Sequence, residues 1–303
     1  DMTELNISYA IDHGVDMVIS HHPFLFKPIH DIDLSTCKGR MIENLIRHRI
    51  TSFAAHTNLD SAVQGVNDAL AEKLGLQECK GFVPVMTYSS YKFTLYITAA
   101  HAKLLKKKLD SLRGKDIESY YVVDDADDFT ENIRVEFRVP GQLVKQVKDM
   151  ISSLDKSAKY DVYKLVNHGY KETMGRIGKF PFPMSVEEAL SYIKNKLEIP
   201  VLRYAGNRDR LVEKIAILGG AGAEFAGVAK SMGADLYLTG DLKYHEAQDA
   251  AMNGLVIADG GHFYTERVII PYLAKRLRDE FKTRGWNVGV LEDVRAKDIF
   301  HCV

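Results

Sequence analysis

VDMVISHHP, residues 15–23, is a short apolar run that ends in two adjacent histidines and a proline. Val15, Met17, Val18 and Ile19 have strand length and polar neighbours only at their ends, the pattern of a buried strand in a mostly parallel sheet. Pro23 has no N–H to continue a ladder and drives His22 toward an extended conformation, so the strand stops there and the chain leaves the sheet. His21 and His22 therefore fall at the carboxyl end, the edge at which open α/β sheets bind ligands. Successive side chains of a strand point to opposite faces. Two neighbouring histidines can serve one cluster only where the strand is ending, or by reaching two different metal ions.

Working outward, the same punctuation recurs. Thr3–His13 has imperfect helical spacing and closes on Gly14, a helix that would feed directly into the His-His strand. Arg40–Arg49 reads as a helix, Phe53–Ala55 as a strand, and HTNLD (residues 56–60) follows, so a second strand also ends in ligand-type residues. Gly65–Leu74 is a helix closed by Gly75, and Ser185–Lys196 another with Ser185 as N-cap. Beyond these, Lys214–Leu218, Asp235–Leu238 and Leu255–Ala258 are strands leading into GGAGAEF (219–225), TGDLKYH (239–245) and DGGHFYTE (259–266). Thr265–Arg284 is a long amphipathic helix. Strands alternating with helices predict an α/β fold, a layered mostly parallel sheet flanked by helices.

An inserted module interrupts that alternation. Lys92–Thr98, Ala99–Leu112, Ile117–Val123, Ile133–Val139, Gly141–Leu154 and Lys159–Val166 read β-α-β-β-α-β, the ferredoxin-like order. It carries no cluster of candidate ligands, and its acidic turn Asp124–Asp128 reads as a solvated loop. The predicted organisation is 1–90 and 170–303 as two parts of a metal-binding α/β domain, with 91–169 inserted.

At 303 residues the chain is long enough for more than one domain. A net charge of −1 gives no general electrostatic reason to bind nucleic acid or an anionic membrane. The basic run Lys106–Lys108 reads as the solvated side of a helix. Cys37, Cys79 and Cys302 form no CxxC pair, which fits a reducing compartment and argues against a disulfide framework or a zinc-thiolate site. No apolar run reaches membrane-spanning length, and a cytoplasmic location is expected. A chain opening on Asp1 rather than methionine reads as lacking its natural start.

Of eleven histidines, His21, His22, His56, His245 and His262 all fall just beyond predicted strands. Scatter would not favour that edge. His13, His30, His48, His101, His168 and His301 read as packed or solvated. His262 and Glu266, four apart at the start of a helix, share a face and can address one ion; His56 and Asp60 have the same spacing. Nitrogen and carboxylate donors without thiolate suit zinc, iron, manganese, cobalt or nickel. Two divalent ions about 3.5–4 Å apart would acidify a bound water and clamp a displacement at phosphorus or carbon. Gly220 and Gly222 followed by Asp241 imitate a dinucleotide fingerprint, but Phe225 replaces the third glycine, and a tight strand-to-helix turn is the better reading. Asp241 reads as a cap for the helix carrying Lys243 and His245. Those two could instead face the metals, Lys243 holding an anion and His245 passing a proton.

ISHHPFLFK, AAHTNLD, GVNDALA, GRIG, GGAGAEF, TGDLKYHEAQDAA and DGGHFYTE together resemble the Nif-three-like family, whose members are labelled type 2 GTP cyclohydrolase I-like. The resemblance implies that His21, His22, Asp60, His262 and Glu266 are the five ligands of a dinuclear site. His56 and His245 match recurrent family positions. It also implies a toroidal homohexamer, and a PII-like or CutA-like insertion of the kind some bacterial members carry. The chain departs from the family in having no early strand and helix ahead of residue 1, and no counterpart around Gly114–Asp128 of the insertion's glycine-rich stretch.

The expected function is a dinuclear metal-dependent hydrolase, GTP cyclohydrolase-like, turning metal-bound hydroxide on a nucleotide-like substrate, with Lys243, His245 and His56 in supporting or proton-transfer roles. The alternative is a metal-dependent binding or regulatory protein, a hexameric scaffold without turnover. A nucleotide-dependent oxidoreductase built on GGAGAEF ranks third and predicts NAD binding that survives metal removal.

Overall fold

The computed structural model describes residues 1–110, 118–123 and 132–301. The chain divides into two units, Asp1–Val83 with Thr173–Val303, and Pro84–Glu172.

The first unit opens with α1 (Glu4–Asp12), started by Thr3, whose side chain accepts from the Asn6 amide, and left through Gly14 at φ +60°. β1 (Met17–Ser20), α2 (Cys37–Arg47) and β2 (Thr51–Ala54) follow, and β1 and β2 pair in parallel as a two-stranded sheet. Ile7, Ala10, Met41, Leu45 and Ile50 are buried between the helices, with Val18 packed against them. The expectation of a buried β1 is corrected here: Met17 and Ile19, on its other face, are 50% and 41% exposed. Helices cover one face of this pair, so alternate apolar residues stay open. Next come α3 (Thr57–Ser61), α4 (Val66–Lys73) and β3 (Gln77–Lys80).

The second unit runs β4 (Val83–Thr98), α5 (Ala99–Asp110), β5 (Glu118–Val123), β6 (Asn132–Pro140), α6 (Val144–Leu154) and β7 (Lys159–Met174), with sheet order β5-β6-β4-β7. Alternate residues Phe93, Leu95 and Ile97 of β4 and Val135 and Phe137 of β6 meet Leu105 of α5 and Val147 and Ile151 of α6 in one core. Lys106, Lys107 and Lys108 lie exposed on α5. The acidic turn Asp124–Asp128, Gly114 and Cys302 lie outside the described residues.

The chain then returns to the first unit through β8 (Arg176–Ser185), α7 (Val186–Leu197), β9 (Arg203–Ala205), β10 (Leu211–Ala221), α8 (Ala226–Ser231), β11 (Leu236–Gly240), α9 (Tyr244–Met252), β12 (Val256–Asp259), α10 (His262–Glu266) and α11 (Ile269–Arg284). Its six-stranded sheet has order β3-β8-β10-β11-β12-β9. Only β10–β11 and β11–β12 are parallel, while β3–β8, β8–β10 and β12–β9 are antiparallel. The sheet is therefore mixed rather than mostly parallel, because β8 runs against β10 and the short edge strands β3 and β9 pair antiparallel with β8 and β12. Ile215, Ile217, Leu236 and Leu238 pack toward Leu70 and Ile193, while Ala216, Leu218 and Tyr237 pack toward Ala229 and Ala250. Helices thus cover both faces of these strands. Ser185 caps α7 with a reciprocal bond to Glu188.

The single helix expected over Thr265–Arg284 is two. Pro271 has no N–H and its ring excludes the Arg267 carbonyl, so the chain turns at Arg267 and Val268 before α11 begins. No helix among the described residues is long and apolar enough to cross a membrane.

Candidate metal centre

His21 and His22 leave β1 at its carboxyl end, Asp60 sits on the short α3 behind β2, and His262 and Glu266 are one turn apart on α10 behind β12. The structure brings all five together. Three imidazoles aim Nε2 at one carboxylate: His21 lies 3.5 Å and His262 3.2 Å from Glu266 Oε1, and His22 3.5 Å from Glu266 Oε2. Asp60 Oδ1 stands 3.5 Å from His21 Nε2. The His56 ring centre is 5.2 Å from that of His21 and 5.0 Å from that of His22. Ligand atoms of His21, His22 and His56, and of His22, His262 and Glu266, are close enough to hold a metal ion as two groups sharing His22.

Neighbouring acceptors fix which nitrogen of each ring faces inward. His21 Nδ1 lies 2.9 Å from the Ala55 carbonyl, His262 Nδ1 2.8 Å from Asp241 Oδ2, and His22 Nδ1 3.0 Å from Asp1 Oδ1. Carbonyl and carboxylate oxygens only accept, so Nδ1 carries the proton and Nε2 of the neutral ring presents a lone pair. His22 Nε2 and His262 Nε2 then face each other at 3.3 Å. Two lone pairs at that distance need a proton or a cation between them. His21 Nε2 and Asp60 Oδ1 are buried with no hydrogen-bond partner. Acceptors gathered without donors, in a set of imidazoles and carboxylates, fit divalent transition metals.

Titration follows the same geometry. Burial holds the Asp60 carboxyl up at about 6. Hydrogen bonding to Glu266 raises His262 to about 9. Burial opposes ionisation of Glu266, but the facing His21 and His262 rings, when they carry a second proton, outweigh it and hold the carboxylate down at about 2. Burial lowers His22 and His56. In the metal-free protein, then, a proton on His262 occupies the space between lone pairs that an ion would otherwise fill.

The glycines of β10 make room for this cluster. The pairing of β10 with β11 slips register between Ile217 and Ala221. A Cβ on Gly220, which sits at φ +69°, would stand 2.3 Å from Glu266 Oε1 and 3.3 Å from His262 Nε2. GGAGAEF is a cradle for the Glu266 carboxylate.

Lys243 and His245 are not part of the cluster. Both are exposed, Lys243 lies 3.8 Å from Glu246, and His245 packs edge-on against Tyr244. Among the described residues neither shares a hydrogen bond or ion pair with the five. Asp241 is also corrected. Lys243 occupies the N-cap of α9, whereas Asp241, in the left-handed region at φ +55°, turns its carboxylate onto His262. Asn67, which no side-chain pattern in the sequence marks, joins Asp60 to the glycine turn. The sequence signal for Asp241 was its place at the same strand edge as the histidines.

The sequence model of Duf34/NIF3 (NGG1p interacting factor 3) matches residues 1–297. The chain belongs to the Duf34/NIF3 family. Among Duf34/NIF3 relatives, a Halalkalibacterium halodurans protein named GTP cyclohydrolase 1 type 2 homolog is 32% identical over 324 residues, covering 99% of this chain and 87% of its own. A Bacillus subtilis protein of the same name is 32% identical over 317 residues, covering 96% and 84%. The crystal structure of a Bacillus cereus protein related to NIF3 matches with TM-score 0.85 at 32% identity, over 100% of this chain and 87% of that one. That of a Staphylococcus aureus protein matches with TM-score 0.79 at 28% identity, over 100% and 86%.

Proposed function

We propose that this Duf34/NIF3 protein is a dinuclear metal-dependent hydrolase, GTP cyclohydrolase-like, acting on a nucleotide-like substrate. The observation that carries the proposal is the convergence of three imidazole Nε2 atoms on the Glu266 carboxylate, with Asp60 Oδ1, which has no hydrogen-bond partner, beside His21 Nε2. His21, His22, Asp60, His262 and Glu266 would hold two divalent ions, zinc, iron, manganese, cobalt or nickel, with His56 beside them. Bound there, the ions would supply Lewis acidity toward a carbonyl or phosphoryl oxygen and acidify water. Ala55 O and Asp241 Oδ2 keep the protons of His21 and His262 on Nδ1, so these rings cannot turn their lone pairs away. Gly220 leaves the Glu266 carboxylate unobstructed, and the low exposure of the Asp60 and Glu266 side chains, 16% and 11%, strengthens their charge interactions.

The names of the Halalkalibacterium halodurans and Bacillus subtilis relatives support a guanine nucleotide as the first substrate to try. The β-α-β-β-α-β order and β5-β6-β4-β7 pairing support reading the second unit as a ferredoxin-like, PII-like insertion. A cytoplasmic toroidal homohexamer completes the proposal.

The exposure of Lys243 and His245, neither of them bonded to the five among the described residues, favours a second reading: a metal-dependent binding or scaffold protein without turnover. Turnover separates the two. Metal-loaded protein and its His262→Ala variant are incubated with GTP and with simple phosphoesters, and formate and phosphate are followed. Repeated product release by the wild type, abolished in the variant, supports the hydrolase. Saturable binding with no product supports the scaffold.

A further inference from the structure

Asn67 is 1% exposed, in the first turn of α4, and its amide bonds two backbone atoms from distant parts of the chain. Its Nδ2 donates to the carbonyl of Asp60 at 3.0 Å. Its Oδ1 accepts from the amide of Gly219 at 3.0 Å. One partner only accepts and the other only donates, so the orientation of the amide is fixed by chemistry.

What it joins is specific. Asp60 is the one carboxylate of the cluster contributed by the first part of the chain. Gly219 belongs to the slipped end of β10, where the next amide, Gly220, donates to Thr265 Oγ1 at 3.0 Å, beside Glu266. A Cβ on Gly219 would itself stand 3.5 Å from Glu266 Cγ. Asn67 and Thr265 thus take up two consecutive amides of the bulged strand. Asn67 links that turn to the ligand-bearing α3, while Thr265 links it to α10. The neighbouring Asp68 pairs with Arg176 through both carboxylate oxygens and accepts from the Gln64 amide at 2.5 Å, so the turn carrying Asn67 is pinned from the other side as well.

We infer that Asn67 is the positioning residue that holds Asp60 in register with Glu266, and so sets how tightly the Asp60 half of the centre takes its ion. The inference rests on the proposed two-ion centre. Asn67 acts through backbone atoms, the Asp60 carbonyl and the Gly219 amide, and among the described residues it shares no hydrogen bond or ion pair with the five ligating side chains. Outer partners that orient a ligand influence affinity by about 10- to 100-fold when removed.

The test is titration of metal-free protein with cobalt(II), followed by visible absorption, in wild type, Asn67→Ala, Asn67→Asp and Leu70→Ala, with the thermal midpoint of each metal-free protein recorded. Asn67→Asp keeps the acceptor for Gly219 but turns an oxygen on the Asp60 carbonyl, and it decides the matter if Asn67→Ala does not fold. Leu70, fully buried one turn further along α4, reports destabilisation alone. The expected result is an affinity for one of the two ions reduced about 10- to 100-fold in both Asn67 variants and unchanged in Leu70→Ala despite its lower midpoint. Wild-type affinity in the Asn67 variants, or an equal loss in Leu70→Ala, overturns the inference. A wild type that binds no cobalt overturns instead the two-ion centre on which it rests.

Discussion

The ligands of this centre compete with protons. In the metal-free protein His262 keeps its proton up to about 9 and Asp60 up to about 6. Ion binding needs the unprotonated form of both, so apparent metal affinity rises as pH climbs from about 6 toward 9 and flattens beyond. Isothermal titration in buffers of different ionisation enthalpy reads the released protons directly; affinity independent of pH over that window would contradict the assignment of His262. Stability runs the other way. The folded pKa of His262 lies above its ordinary 6.5, so its contribution to the metal-free protein is fully present below pH 6.5 and is lost as pH rises through about 9. Melting curves of stripped and loaded protein should therefore converge at low pH and separate at high pH. At this scale the sequence was most legible: histidines and carboxylates at strand ends are recognisable as letters. Asn67 was not, because its partners are backbone atoms that no side-chain pattern records. Asp241 reads from sequence as a cap because a carboxylate just before a helix looks the same whether it serves the helix or a neighbouring ring.

The helix next to the ligand-bearing α3 is held by an ion pair with a buried guanidinium. Arg176, 7% exposed, forks onto Asp68 and donates to the Gly175 carbonyl at 2.8 Å, tying β8 to α4. Asp68→Ala strands the guanidinium inside the protein and should cost about 3–5 kcal/mol. Arg176→Met leaves a carboxylate that is 25% exposed and can rehydrate, so its cost should be smaller. Urea unfolding of the two variants checks the order, and equal losses would show that the pair's burial is not what matters. β10, β11 and β12 were readable because continuous apolar runs are what strands covered on both faces require. β3, β8 and β9 were not: QECK in β3 is exposed, β8 carries Pro181 and Pro183, and β9 has three residues. Those three strands make the sheet mixed. The apolar letters of β1 promised burial, yet covering a strand on both faces depends on a second layer that a strand's own sequence does not specify.

Within the whole molecule, the sequence pattern changes from one alternation to another near residue 90, and the second unit spans Pro84–Glu172. The chain enters and leaves the second unit close together in the first: Gly81 and Thr173 are in such tight contact that a Cβ on Gly81 would overlap the Thr173 side chain. Replacing residues 84–172 by a short glycine-serine linker should therefore leave the first unit folded with its metal affinity intact, because termini this close need little loop entropy to join. Loss of metal binding from a shortened protein that remains folded would assign the second unit a part in the centre. The most direct test of the account is elemental analysis of protein purified without added metal or chelator, wild type beside Glu266→Ala, since three imidazoles converge on that one carboxylate. The account predicts about two transition-metal ions per wild-type chain and a loss of both from the variant. A wild type that stays empty after reconstitution, or a variant that keeps its full complement, would contradict it.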